Sequence, residues 1–228
     1  MAVGPVLRTA GDMLGAGLND LYTFAGPVGG FIFGLFYSPI VITGLHQSFP
    51  PIETMLWNEG GSFIFAVASM ANIAQGGVAL AVYFLTRSEK LKGLSGASGV
   101  SALFGITEPA IFGVNLRLRW PFYIGMGASA IASTLIALFD VKATALGAAG
   151  FIGFVSMRPE DYTQFFICAF VSLILSFGVA FAYGHYLRGK NGSIDPDEVG
   201  AGGASASAAP AVTADPVSYT HLRAHETS

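Results

Sequence analysis

Charge vanishes from this chain over long intervals, and their spacing limits the folds open to it. No Asp, Glu, Lys or Arg occurs in residues 21–52, 60–86, 120–139 or 162–187, runs of 32, 27, 20 and 26 residues. A helix rises about 1.5 Å per residue, so about 20 apolar residues cross a hydrocarbon core of roughly 30 Å. Each of the four runs meets that length and reads as a membrane crossing. Two further runs, 93–107 and 143–157, hold only 15 residues each and are rich in Gly, Ala and Ser. Segments that short read as buried or re-entrant rather than crossing. Irregular backbone at membrane depth survives only where protein or a water-filled cavity satisfies its polar groups. Paired short, glycine-interrupted segments therefore point to a binding site of the kind transport proteins carry. The expected fold is all-α and polytopic, with about four transmembrane helices and two re-entrant hairpins.

Composition excludes the competing classes. Only 11% of the 228 residues are charged and 53% are hydrophobic, whereas an average soluble domain is about 25% charged. Intrinsic disorder needs the opposite balance. Eleven basic against 14 acidic residues cannot neutralise a phosphate backbone, so no nucleic-acid partner is expected. One cysteine permits neither an internal disulfide nor a cysteine metal cluster.

Basic residues give the orientation. Arg87, Lys90 and Lys92 follow the second long run, Arg117 and Arg119 follow the first short run, and Arg188 and Lys190 follow the fourth long run. With both short runs dipping and returning, these groups share one side, which is cytoplasmic by the positive-inside rule. The opposite side receives Glu53, Glu59, Asp140, Lys142, Arg158, Glu160 and Asp161. A full crossing by either short run would split the basic groups between the two faces. Residues 1–20 set Val6, Leu7, Met13, Leu14 and Leu18 against Arg8, Asp12 and Asp20, and read as an interfacial helix. They lack the basic start, apolar core and cleavage site of a signal peptide. The membrane domain is thus expected over 1–188. Residues 189–215, ending in an Ala, Gly, Ser, Pro and Thr tract, read as a cytoplasmic flexible linker. Residues 216–228 change register abruptly and look like adapter-derived, non-native sequence. His221 and His225 lie there four apart, with no helix or third ligand to make them a metal pair.

The polar residues inside apolar surroundings are the candidates for chemistry. Glu108, in Gly105-Ile106-Thr107-Glu108-Pro109-Ala110-Ile111-Phe112-Gly113, is a carboxylate between two apolar segments. Such a group is expensive at membrane depth and functional by default. Pro109 donates no hydrogen bond and biases Thr107-Glu108 toward extended backbone. A non-helical hairpin tip presenting the carboxylate to a cavity is expected; a glutamate in a cytoplasmic surface loop is the rival. His46 closes the first run, where a lone histidine suits an interfacial anchor or a satisfied core residue. Asn72 and Gln75 lie three apart mid-run, on one helix face. Their amides suit either a hydroxylated ligand or interhelical hydrogen bonds, and spacing does not choose. Cys168, among phenylalanines, reads as inert packing. Glycine-rich phosphate loops, zinc spacings and nucleophile elbows are absent from the sequence.

The stretch Gly105 to Gly113, continuing Val114-Asn115-Leu116-Arg117-Leu118-Arg119-Trp120-Pro121-Phe122, resembles the signature of the phosphotransferase-system sugar permeases. These are the membrane C components of enzyme II, in the glucose/sucrose superfamily. Gly44-Leu45-His46-Gln47-Ser48-Phe49-Pro50-Pro51-Ile52-Glu53 and Met70 to Gly76 are similar to family segments as well. The resemblance covers about residues 5–187 and is closest to the sucrose-specific branch, with trehalose and β-glucoside branches nearby. It implies a multi-pass protein of the bacterial cytoplasmic membrane that couples entry of a disaccharide to its phosphorylation. No cofactor or metal is implied; phosphate would come from a phosphocysteine on an enzyme IIB domain, and Cys168 is not its equivalent. Glu108 matches the family's sugar-binding glutamate and would help place the accepting hydroxyl. His46 matches the loop histidine associated with binding or phosphoryl transfer. Thr107, Asn72 and Gln75 would line or support the pocket, and Phe49 or Phe112 would stack on the sugar. The implied partners are the sugar, enzyme IIB and IIA domains, ultimately the phosphocarrier HPr, the lipid bilayer and a second copy of the permease. Because the family's domain has about twice as many membrane segments, the chain reads as its C-terminal half, inactive alone. The linker would then lead toward an enzyme IIA domain. A facilitator or ion-coupled transporter is the alternative class, and a purely structural membrane protein accounts poorly for Glu108.

Overall fold

The computed structural model describes Met13, Gly17 and residues 25–57 and 60–195. The interfacial helix expected over 1–20, Glu59, and everything beyond Asp195, with His221 and His225, otherwise lie outside the described residues. The principal helices are α1 (Pro27–Thr43), α2 (Phe49–Trp57), α3 (Ile64–Leu85), α4 (Glu89–Leu103), α5 (Trp120–Leu138) and α6 (Tyr162–Asn191). Among the described residues there are no named strands, only isolated bridges.

The 22-residue α3 is the centre of the molecule, buried along almost its whole length, with α1, α4, α5 and α6 packed around it. Its run of Ala and Gly explains the position, because small side chains let neighbouring backbones approach closely inside a membrane. A Cβ at Gly76 would lie 2.9 Å from the Gly99 carbonyl of α4, and one at Gly77 would meet the Ser176 hydroxyl of α6. The same device joins α1 to α5, where Gly30 and Gly34 repeat at the four-residue spacing of close helix pairs. A Cβ at Gly34 would fall on Ser133 and lie 2.8 Å from the Ser129 carbonyl. Gly34→Val should therefore force the two helices apart and destabilise the protein by roughly 1–3 kcal/mol. A thermal melt in detergent reads this directly, and an unchanged midpoint would show that the close approach contributes nothing.

Among the described residues three helices are long and apolar enough to cross a membrane: α3, α5, and α6 with its preceding turn. The first charge-free run supplies a fourth span only as a bent pair, Pro27–Thr43 and Leu45–Thr54, whose axes differ by 100°. It is not the single uninterrupted crossing expected over 21–52. Gly44 ends α1 with φ 77°, the left-handed conformation in which helices commonly stop at glycine. A short 3-10 turn over Leu45–Ser48 follows, and then α2, with Pro50 and Pro51 near its start.

Both short runs dip and return. After α4 the chain turns at Gly105, φ 101°, and comes back through a helical turn at Glu108–Ala110, a π turn at Ile111–Asn115 and a last turn at Leu116–Leu118. This returning arm lies along α4: a Cβ at Gly113 would sit 3.2 Å from Leu94 Cδ2. Thr107 and Glu108 are not extended as the proline suggested. Thr107 has φ −96° and ψ −17°, and its carbonyl accepts from Ile111 N–H at 2.9 Å. Pro109 falls in the first turn of a helix, where a missing N–H leaves no bond unmade. The second short run leaves from Ala143 and returns to Met157; Ala143 pairs with both Met157 and Ser62. The two tips touch backbone to backbone. A Cβ at Gly105 would lie 2.6 Å from the Ala149 carbonyl, and one at Gly150 would collide with the Leu103 carbonyl.

Charges gather at the two ends of this bundle. At one end Arg188 donates to the Leu85 carbonyl at 3.3 Å and Arg117 pairs with Asp195 at 3.2 Å. Thus the base of the first hairpin lies beside the end of α6, as a dip-and-return requires. At the other end Arg158 pairs with Asp161 at 2.7 Å, and Lys142 with Asp140 at 3.0 Å. The Asp161 carboxylate beside it pushes the Arg158 guanidinium above its ordinary range. The segment expected to be linker from Gly189 starts out as ordered structure: α6 continues to Asn191, and the chain then folds back. Ile194 and Asp195 are 6% and 2% exposed. The isoleucine finds an apolar cluster with Leu91, Val114 and Leu118, while the aspartate finds Arg117, so neither behaves as free linker.

Candidate functional site

A cavity of about 510 Å³ lies where the two re-entrant tips, the start of α3 and the bend after α1 converge. The first hairpin contributes Phe104 to Glu108, and the second short segment contributes Leu146 to Ala149. From the bend come His46, Gln47, Phe49 and Glu53, with Tyr37 from α1 and Asn72 from α3. Four of the five residues singled out from sequence, Glu108, His46, Thr107 and Asn72, thus meet on one cavity although they come from three separate segments.

Each is positioned by its local structure. Glu108 opens the returning arm and is exposed, whereas Thr107 beside it is buried. His46 sits half-buried in the 3-10 turn beyond Gly44, with Nε2 3.1 Å from the Gln47 amide nitrogen. It shares the cavity wall with Glu108. Asn72 donates from Nδ2 to the Gly105 carbonyl at 3.4 Å, tying the hairpin tip to the central helix. Phe49 reaches the cavity wall and packs against Tyr37 with ring centroids 6.3 Å apart. Phe112 is 53% exposed and is not among the lining residues.

Gln75 is placed elsewhere. Its side chain is 1% exposed; Nε2 donates to Ser38 Oγ at 3.1 Å and to the Phe122 carbonyl at 3.4 Å. Asn115 Nδ2 donates to Gln75 Oε1 at 2.8 Å and to its backbone carbonyl at 3.0 Å. One amide therefore joins α1, α3, α5 and the returning arm. Gln75 lines no part of the cavity, and its geometry is that of interhelical glue. Gln75→Leu breaks three side-chain bonds of roughly 0.6 kcal/mol each and leaves Asn115 Nδ2 with only its bond to the residue-75 backbone carbonyl. A clear fall in the thermal midpoint is expected, with ligand affinity in the surviving folded protein changed less than affinity on loss of Asn72. Equal affinity losses would return Gln75 to the cavity.

Residues the sequence did not single out also line the cavity. Tyr37 and Ala149 carried no signal beyond lying in apolar runs, although the second short run had been paired with the first. Glu53 was visible as the charge closing the first run, but it read as part of an exterior loop. It is 3% exposed and accepts from Ser62 Oγ at 3.5 Å. Cys168 is fully buried in the apolar core, in keeping with inert packing.

Chemically the wall combines carboxylates, an imidazole, amides and hydroxyls with aromatic faces, and these groups donate and accept at short range. Among the described residues no Lys or Arg lines it, so it favours an uncharged, hydrogen-bonding ligand over an anionic one. Apolar spans around such a cavity define a polytopic helical membrane protein with an internal polar site. A family model described as "Phosphotransferase system, EIIC" matches residues 1–130, more than half of the chain, and the chain belongs to that family. It is 53% identical over 185 residues to the "PTS system sucrose-specific EIIBCA component" of Pediococcus pentosaceus, covering 79% of this chain and 28% of the relative. Identity to the "PTS system sucrose-specific EIIBC component" of Staphylococcus xylosus is 56% over 164 residues, 70% of this chain and 34% of the relative. The "PTS system trehalose-specific EIIBC component" of Bacillus subtilis (strain 168) is 40% identical over 186 residues, 81% of this chain and 40% of the relative. The chain thus spans well under half the length of these relatives. No solved structure matches it.

Proposed function

We propose that this chain is the sugar-binding membrane part of a sucrose-specific phosphotransferase permease in a bacterial cytoplasmic membrane. The observation that carries the reading is the convergence of Glu108 and His46, from segments 62 residues apart in sequence, on one polar cavity roofed by two re-entrant tips. The names of the relatives supply the sugar. Glu108 accepts a hydrogen bond from the sugar hydroxyl that becomes phosphorylated, and so orients its oxygen. That oxygen attacks the phosphorus of a phosphocysteine on the enzyme IIB domain. The phosphorus–sulfur bond breaks, the cysteine leaves as thiolate, and the hydroxyl proton passes to the Glu108–His46 pair. Thr107 and Asn72 hold the hairpin tip and contribute hydrogen bonds, while Phe49 offers an aromatic face to the ring. No cofactor or metal takes part in this reading. Transferase activity belongs to the whole assembly of B, C and A domains fed by the phosphocarrier HPr. The permease works as a homodimer, with the end bearing Arg117 and Arg188 and the tail beyond it in the cytoplasm.

Membrane vesicles bearing the whole protein, supplied with phosphoenolpyruvate and the soluble phosphotransfer proteins, test this. Labelled sucrose should accumulate as sucrose phosphate, and unlabelled sucrose should compete better than trehalose or β-glucosides. Uptake independent of phosphoenolpyruvate would identify a facilitator or ion-coupled transporter instead, and tighter competition by trehalose would reassign the sugar.

A further inference from the structure

A second carboxylate lines the cavity, and the chemistry assigned to Glu108 and His46 leaves it without a task. Glu53 stands on α2 with its side chain turned into the molecule, 3% exposed. A carboxylate removed from water is tolerated only where hydrogen bonds replace those it has lost. Glu53 accepts one from Ser62 Oγ at 3.5 Å, two residues before α3 begins. A glutamate side chain has two oxygens and room for more than one hydrogen bond, so this single donor leaves capacity facing the cavity. Among the described residues no salt bridge to Glu53 occurs and no cation shares the cavity wall with it.

Its position relative to Glu108 gives the capacity a meaning. Glu53 is tied to the start of α3 through Ser62, whose Oγ also accepts from Ile64 N–H, whereas the hairpin tip bearing Glu108 is anchored on α3 at Asn72. Eight residues of helix, from Ile64 to Asn72, separate these levels, roughly 12 Å along the axis. Two joined sugar rings span such a distance; a single ring does not. Tyr37 and Phe49 line the cavity alongside Glu53.

We propose that Glu53 is a specificity-determining residue, accepting hydrogen bonds from the second ring of a disaccharide whose first ring is held by Glu108 and His46. The inference rests on the proposed sugar permease and adds to it how the site tells two rings from one. Glu53 takes no part in phosphoryl transfer, so its contribution lies in binding.

The test uses the whole protein in membrane vesicles without phosphoryl donor. It compares Kd for labelled sucrose with the inhibition constant of a single-ring sugar, methyl α-glucoside. Glu53→Gln keeps the shape and replaces one carboxyl oxygen by an NH2 group that cannot accept. It should raise the sucrose Kd about fivefold, the loss expected for one hydrogen bond. The single-ring constant should move less than twofold. Glu53→Asp, which retains the carboxyl group but shortens the reach, should give an intermediate sucrose Kd; it also decides the matter if the glutamine variant fails to reach the membrane. Equal weakening of both ligands would make Glu53 a strut between α2 and α3 and overturn the proposal, as would an unchanged sucrose Kd. Failure of the parent protein to bind sucrose would defeat the permease reading itself, a result separable from either.

Discussion

Glu108→Gln, placed in the whole protein, is expected to remove phosphoenolpyruvate-dependent sucrose phosphorylation while the protein still folds and reaches the membrane. Glutamine matches glutamate in size, and Glu108 is exposed at the mouth of the returning arm, so packing changes little. What disappears is the negative oxygen that orients the accepting hydroxyl and shares its proton. Proton transfer by a positioned side chain contributes typically 10²–10⁴-fold, and the loss should fall in that range. Sucrose Kd should rise less steeply, because His46, Asn72 and Thr107 still line the cavity. Phosphorylation at the parental rate would remove Glu108 from the site. A large rise in Kd with an unchanged rate on bound sugar would make it a binding group only.

Gly105→Ala should be nearly as damaging, through the backbone instead of through charge. Gly105 turns the first hairpin at φ 101°, a conformation costing L residues roughly 1–3 kcal/mol. Its missing side chain is also where the second re-entrant tip fits, since a Cβ would lie 2.6 Å from the Ala149 carbonyl and 3.1 Å from the Ala149 nitrogen. Backbone on both sides cannot yield as a flexible side chain would. The tip must shift, carrying Thr107 and Glu108 with it, and the Asn72 bond to the Gly105 carbonyl must lengthen. More than tenfold loss of transport is expected, with a lowered thermal midpoint. Gly127→Ala on α5, where a Cβ meets nothing within 4 Å, is the matched control and should leave both unchanged. Normal transport by Gly105→Ala would mean that the tips need not touch.

The architecture was legible where the bilayer dictates it. Long charge-free runs mark the crossings because hydrocarbon excludes charge, and 15-residue runs cannot reach across, so both were read as dipping. The same criterion missed the break at Gly44, because absence of charge says nothing about helical continuity. Pro109 misled locally: a residue before proline avoids the helix in general, yet proline is at home in a first turn. Asn72 and Gln75 show the resolution of spacing arguments. Three residues advance 300°, leaving the two side chains about 60° apart on nearly the same face. That offset suffices to give one of them the cavity and the other the junction of four segments. Glu53 was hidden by a different cause. A charge at the end of an apolar run looks exterior until the fold brings Ser62 to it, and that contact comes from tertiary structure alone.

The Gln75 junction also divides the molecule mechanically. Because one amide holds α1, α3, α5 and the returning arm together, these pieces cannot slide independently without breaking buried hydrogen bonds in a medium with no water to replace them. They form the frame. The Gly44 bend lies outside it, with nothing within 4 Å of where a side chain would stand. Beyond that bend hang His46, Phe49 and Glu53. This wall is joined to the frame by packing and one hydrogen bond instead, with Phe49 against Phe33 and Tyr37 of α1 and Ser62 donating to Glu53.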